Sequence, residues 1–172
     1  MIILGADLST KTGVAYDEGG AVRLEGFRSA TSSENDFGEL FLTFDVWWRA
    51  LLSRVAPAVV AFESPMRVIG HGKSTMKTSQ TTIRILFGLA TIAELRAHER
   101  GIEVYEVNIS TVKRQFAGDG RADKKAMIAR ARLLGYDPRD DNQADAVAVW
   151  QYVKCVKEPS WAPRSTPLFA RQ

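Results

Sequence analysis

The chain has 172 residues, 45% of them hydrophobic, which is enough for one domain with a substantial core and too few for two ordinary ones. Lys and Arg outnumber Asp and Glu by 23 to 20, a surplus that permits a polyanionic partner without demanding one. The single cysteine, Cys155, excludes an internal disulfide framework and a multi-cysteine zinc site. No stretch reaches the roughly 18 apolar residues of a membrane span, so a soluble, cytoplasmic protein with no membrane partner is expected.

In chain order, "IILGA" at 2–6, "GVAY" at 13–16 and "AVRLEGF" at 21–27 predict a three-stranded antiparallel meander, with "DEGG" as one of its turns. A helix is predicted over 36–55, where Leu40, Phe44, Trp47 or Trp48, Leu51 and Val55 recur at helical spacing until Pro57. "VVAFESP" is the fourth strand. A Gly- and Lys-rich loop follows, then a long helix over 79–100 whose apolar faces are supplied by Ile83, Phe87, Ala90, Ile92 and Leu95. "IEVYEV" at 102–107 is the fifth strand, followed by helices near 110–116, 123–134 and 141–154, and a proline-rich tail. Right-handed crossovers then give an α/β fold with a mixed five-stranded sheet, three strands antiparallel and two parallel, flanked by helices.

Two of these strands end on acids. Asp7 and Glu63 leave the carboxyl ends of strands that the topology makes neighbours, the edge where open α/β sheets carry their chemistry. Each alone is explicable as a turn or cap residue. In "DDNQADAVAVW", however, Asp141 and Asp145 share one helical face, and Asn142 lies three residues before Asp145. An N-cap accounts for Asp140 or Asp141 but not for Asp145, one turn inside an apolar helix. Such a cluster would suffer large upward pKa shifts unless a hard cation joined it. Mg²⁺ or Mn²⁺ suits these oxygen ligands, and two such ions about 4 Å apart can activate water against a phosphodiester.

"ILGADLSTKTGVAY", "VVAFESP", "NISTVKRQFAGDGRADKKAMIARARLLG" and "DDNQADAVAVW" together resemble the RuvC family of Holliday-junction resolvases, within the ribonuclease H-like superfamily. The match spans about residues 1–150, and the motifs stand in the family's order and spacing. The resemblance implies a nuclease domain over 1–155 with a separate tail at 156–172. It also implies a homodimer that cuts branched DNA, four-way junctions above all, with two metal ions per site. Asp7 would bridge both ions, Glu63 would bind one and Asp145 would complete the other side. The family's fourth ligand corresponds to Asn142, and Asp141 is the alternative.

The family's aromatic wedge after Glu63 has no counterpart in "SPMRVIGHGKST", where Met66 and Arg67 could wedge or clamp the strand. The short chain and these departures resemble phage or mobile-element relatives. Arg67, Lys73, Lys77, Lys113, Arg114, Arg121, Lys124 and Lys125 are candidates for phosphate contact, and Lys124 matches a family lysine that holds the scissile strand. "GHGKST" is not a P-loop, because Arg67 stands where that motif needs its first glycine. "GADLSTKTGVAY" also resembles the first phosphate loop of actin-like ATPases and sugar kinases, which need a second such domain that this chain has no room for. A branched-DNA binder without catalysis is the reading from a different class.

Overall fold

A computed structural model describes residues 1–29, 36–65 and 79–161. Strands β1 (Ile3–Asp7), β2 (Lys11–Glu18) and β3 (Ala21–Arg28) form the expected meander. Its second turn is closed by Gly19 and Gly20, both at positive φ, as a two-residue hairpin requires. Strands β4 (Val59–Glu63) and β5 (Glu103–Val107) add in parallel, giving the order β3-β2-β1-β4-β5. The α/β, mixed five-stranded reading therefore holds in both strand count and direction.

Alternation along the strands divides two cores. Leu4, Ala6, Val60 and Phe62 face α1 (Phe37–Val55) and α2 (Gln80–His98), with Phe44, Trp48 and Leu51 of α1 buried among them. Ile3, Val59, Ala61 and Val107 face α3 (Ile109–Ala117), α4 (Lys124–Leu133) and α5 (Asp141–Lys157), the most buried helix of the fold. Local chemistry starts each helix. Asp36, Ser79, Asn108, Asp123 and Asp140 cap the five N-termini through their side chains, so Asp140 rather than Asp141 is the cap of α5.

A buried face and a helix end differ from those read in the sequence. The buried face of α2 is Leu89, Ala90, Ala93 and Ala97, while Phe87 and Leu95 are 40% and 49% exposed. The cause is close packing: a Cβ on Gly88 would lie 2.3 Å from the Phe41 ring, so α2 meets α1 through small residues and turns larger ones outward. The last helix continues to Lys157, and Trp161 packs edge-on against Trp150 at 5.4 Å, so the limit drawn at residue 155 falls inside α5. Arg67, Lys73, Lys77, Met66 and most of the tail lie outside the described residues.

Candidate active site

Period-two alternation puts Asp7 on the same sheet face as Ile3 and Gly5, and Glu63 on the same face as Val59 and Ala61, so both acids point toward the α5 layer. The parallel register Gly5↔Ala61 and Ala6↔Phe62 brings the two strand ends side by side. Two glycines let α5 lie directly on the strands. A Cβ on Gly5 would sit 2.5 Å from the Trp150 amide nitrogen, and one on Gly13, the register partner of Asp7, would sit 2.3 Å from the Asn142 carbonyl oxygen. The start of α5, with Asp141 in its first turn and Asp145 one turn further on, is thereby set down beside Asp7.

The electrostatics follow from that contact. Burial pushes the Asp7 carboxyl up to about 8, with Asp145, Glu63 and Asp141 adding to the shift and Lys113 opposing it. Burial likewise raises Glu63, reinforced by Asp145, and raises Asp145, reinforced by Asp141. Oδ1 of Asp145 is buried without a hydrogen-bond partner, a costly state for a carboxylate oxygen. Asp141 behaves oppositely: the ion pair with Lys124 holds it below the usual carboxylate range. Among the described residues, no three His, Cys, Asp or Glu side chains already stand at the spacing of a formed metal cage. Buried carboxylate oxygens in mutual repulsion, one of them orphaned, are a donor set that fits a hard divalent cation.

Of the predicted residues, Asp7, Glu63, Asp141 and Asp145 converge. Asn142 is engaged through its backbone, which lies against Gly13. Lys113 on α3 donates to the Ala122 carbonyl at 3.3 Å, and its charge acts on Asp7, Glu63 and Asp145 together. Lys124 and Lys125 open α4, exposed, with Arg121 just before them, and Arg114 reaches the loop at Gly120. Lys11, at the first position of β2 and inside "ILGADLSTKTGVAY", is not among the sequence candidates for phosphate contact, yet its charge also acts on Asp141.

Over 156 residues, 87% of this chain and 90% of the other, the sequence is 33% identical to the crossover junction endodeoxyribonuclease RuvC of Chloroflexus aggregans. The chain belongs to the RuvC family. It is also 33% identical to the RuvC of Anaeromyxobacter sp. strain K, over 87% of this chain and 78% of that one. No protein-family model matches. The same fold is seen in Thermus thermophilus RuvC in complex with Holliday junction substrate, with a TM-score of 0.67 at 23% identity over 87% of this chain and 90% of that one. The Thermus thermophilus RuvC structure gives a TM-score of 0.64 at 22% identity, covering 96% and 98%.

In this RuvC-family chain the acid rim is distinct from a cleft of about 810 Å³ at the opposite sheet edge, lined by Asp17, Val22, Leu24, Tyr136, Trp150 and Trp161. That cleft holds none of the converging acids. The Asp17 carboxylate there accepts from the Trp150 indole and the Ile3 amide, so its partners are those of a structural anchor.

Proposed function

We propose that the chain is a metal-dependent, structure-selective DNA endonuclease that resolves four-way junctions or related branched DNA by phosphodiester hydrolysis. One observation carries the reading: burial raises the carboxyls of Asp7, Glu63 and Asp145, from three separate elements, and the Asp145 charge adds to the shift of both Asp7 and Glu63 at the carboxyl edge of the sheet. Family membership supports it, as does the likeness in fold to a Thermus thermophilus RuvC that holds a Holliday junction substrate.

Divalent ions, Mg²⁺ or Mn²⁺ and two per site, would supply the charge that acidifies the attacking water and neutralises the departing oxygen. Asp7, between the other acids, would contribute to both ions, Glu63 to one, and Asp145 with Asp141 or Asn142 to the other. Lys113 stands where its ammonium offsets the same three carboxylates, and Lys124, exposed and paired with Asp141, is free to exchange that partner for a phosphate of the scissile strand. Arg114, Arg121 and Lys125 would extend the phosphate-binding face from α3 to α4. A homodimer through α2 is supported by the exposure of Phe87 and Leu95 on it, and a cytoplasmic location in a bacterial or phage-infected cell suits a DNA substrate.

The test is incubation of a labelled four-way junction, a fork and a linear duplex with Mg²⁺, Mn²⁺ or chelator. Symmetric nicking of the junction with either metal is expected, and none with chelator. Asp7→Asn, Glu63→Gln and Asp145→Asn should each abolish cutting while junction binding persists, and turnover in any purified variant overturns the assignment. Equal cutting of all three substrates removes the junction preference. Binding without cutting points to the non-catalytic reading that Asn142 at the fourth position favours.

A further inference from the structure

Of the six charged side chains on the β2–β3 hairpin, four pair with opposite charges, Asp17 among them with Lys154 at 3.5 Å. Arg23 pairs with Glu18, and Glu25 with Arg54. At the rim the rule reverses. Lys11 and Arg28 are register partners, directly opposed across the two strands, both exposed, and among the described residues neither makes an ion pair. Directly opposed like charges in an antiparallel pair sit with Cβ atoms about 5 Å apart and destabilise the ladder. Asp141, itself at the acid rim, attracts Lys11 without forming an ion pair with it.

The backbone that carries them is tied down at the end of the sheet where the acids lie. Alternation sets Lys11 and Arg28 on the same sheet face as the next pair, Gly13 and Gly26, and Gly13 is where the backbone of Asn142 rests. The β1–β2 turn is tied by its own hydroxyls: Thr12 Oγ1 donates to the Ser9 carbonyl at 2.7 Å and accepts from the Ser9 amide, while the Lys11 amide donates to Ser9 Oγ. Along the sheet edge the order is therefore Arg28, Lys11, Asp7, Glu63, with Lys113 on α3 in the helix layer over the acids. The cationic pair lies one to two strand spacings, about 5–10 Å, from β1. It flanks the acid rim on the β2–β3 side.

We propose that Lys11 and Arg28 together grip one backbone phosphate of the strand being cut, on the β2–β3 side of the scissile linkage. The inference rests on the endonuclease reading and adds to it a second fixed point. A strand held at Lys11–Arg28 and again at Lys113 is fixed at two points across the acids, which is the positioning that in-line attack needs. A fork of guanidinium beside an ammonium matches a phosphate's charge and geometry, and a bound phosphate removes the repulsion between them.

The test compares the full chain with Lys11→Ala, Arg28→Ala, the double variant and Lys11→Arg. Binding to a synthetic four-way junction is followed by anisotropy, without divalent metal, across a salt series, with cleavage measured alongside. Expected for the double variant is an approximately tenfold loss of affinity near 0.1 M salt and a salt slope lower by about 1, the signature of one lost phosphate contact. Lys11→Arg keeps the slope, and the double variant's melting temperature holds or rises because a repulsion is gone. Unchanged affinity and slope overturn the proposal and leave the endonuclease reading intact, and so does a clear fall in melting temperature, which would make the pair structural. A parent chain that binds the junction through this pair but never cuts it overturns the endonuclease reading alone. One that binds no branched DNA overturns both.

Discussion

At the scale of single residues, the acids of the rim carry charges that the fold makes expensive, and that cost was partly visible in the chain. A strand ending on Glu63 and an acid one turn inside an apolar helix, Asp145, are locally anomalous. The anomaly has a pH consequence. Asp7 holds its proton more tightly folded than unfolded, with its carboxyl raised from 3.8 to about 8. That contribution to stability is complete below about pH 4 and is lost as pH rises through about 8. Raised Glu63 and Asp145 act in the same direction; Asp141, lowered by Lys124, acts against them, its contribution lost as pH falls. With chelator present, the melting temperature should fall between pH 5 and about 8, Asp7→Asn should remove the largest part of that slope, and saturating Mg²⁺ should flatten it by favouring the ionised form. A pH-independent melting temperature in chelator would contradict the assignment of Asp7. Lys11 and Arg28 gave no comparable signal, since their opposition exists only once the strand register is known.

At the scale of elements, the site depends on how closely α5 approaches the sheet, and two glycines decide that. Glycine within "LGADLSTKTGVAY" is a sign that another backbone comes near, but not of which one. The partner proves to be α5, against Gly5 at Trp150 and against Gly13 at Asn142. Gly13→Ala and Gly5→Ala should each destabilise the chain by about 1–3 kcal/mol in urea unfolding, because a methyl group would have to displace backbone. Gly13→Ala should also weaken Mn²⁺ binding, measured by calorimetry, since the turn holding Asp141 and Asp145 is pushed off the strand beside Asp7. Gly26→Ala is the control: its methyl would meet the Thr12 carbonyl at 3.0 Å and the Gln143 side chain at 4.0 Å, and it should cost less. Helix starts were legible because capping acts within three or four residues. The buried face of α2 was not, because an apolar side chain on a helix turns inward or outward according to the neighbour's shape, here Phe41 against Gly88.

At the scale of the whole molecule, three strands followed by a helix–strand–helix–strand succession leave few right-handed, unknotted arrangements, and the observed order β3-β2-β1-β4-β5 is one of them. The topology gathers Asp7, Glu63 and Asp145 from distant parts of the chain at one edge and leaves Phe87 and Leu95 of α2 facing outward. If the proposed homodimer uses that surface, sedimentation should show a dimer for the parent chain and a monomer for Phe87→Glu. A monomeric parent chain would remove α2 as an interface.

Length, periodicity and capping residues were sufficient to specify the strands, the helices, their order and the acids that sit oddly within them, because those signals operate between residues a few positions apart. Only the folded arrangement decided that the acids share one field, that Asp141 is tied to Lys124 while Asn142 lies against Gly13, and that Lys11 stands opposite Arg28. Charge coupling and steric contact depend on distance through space, and for residues more than a hundred positions apart that distance is set by the packing of α5 on the sheet.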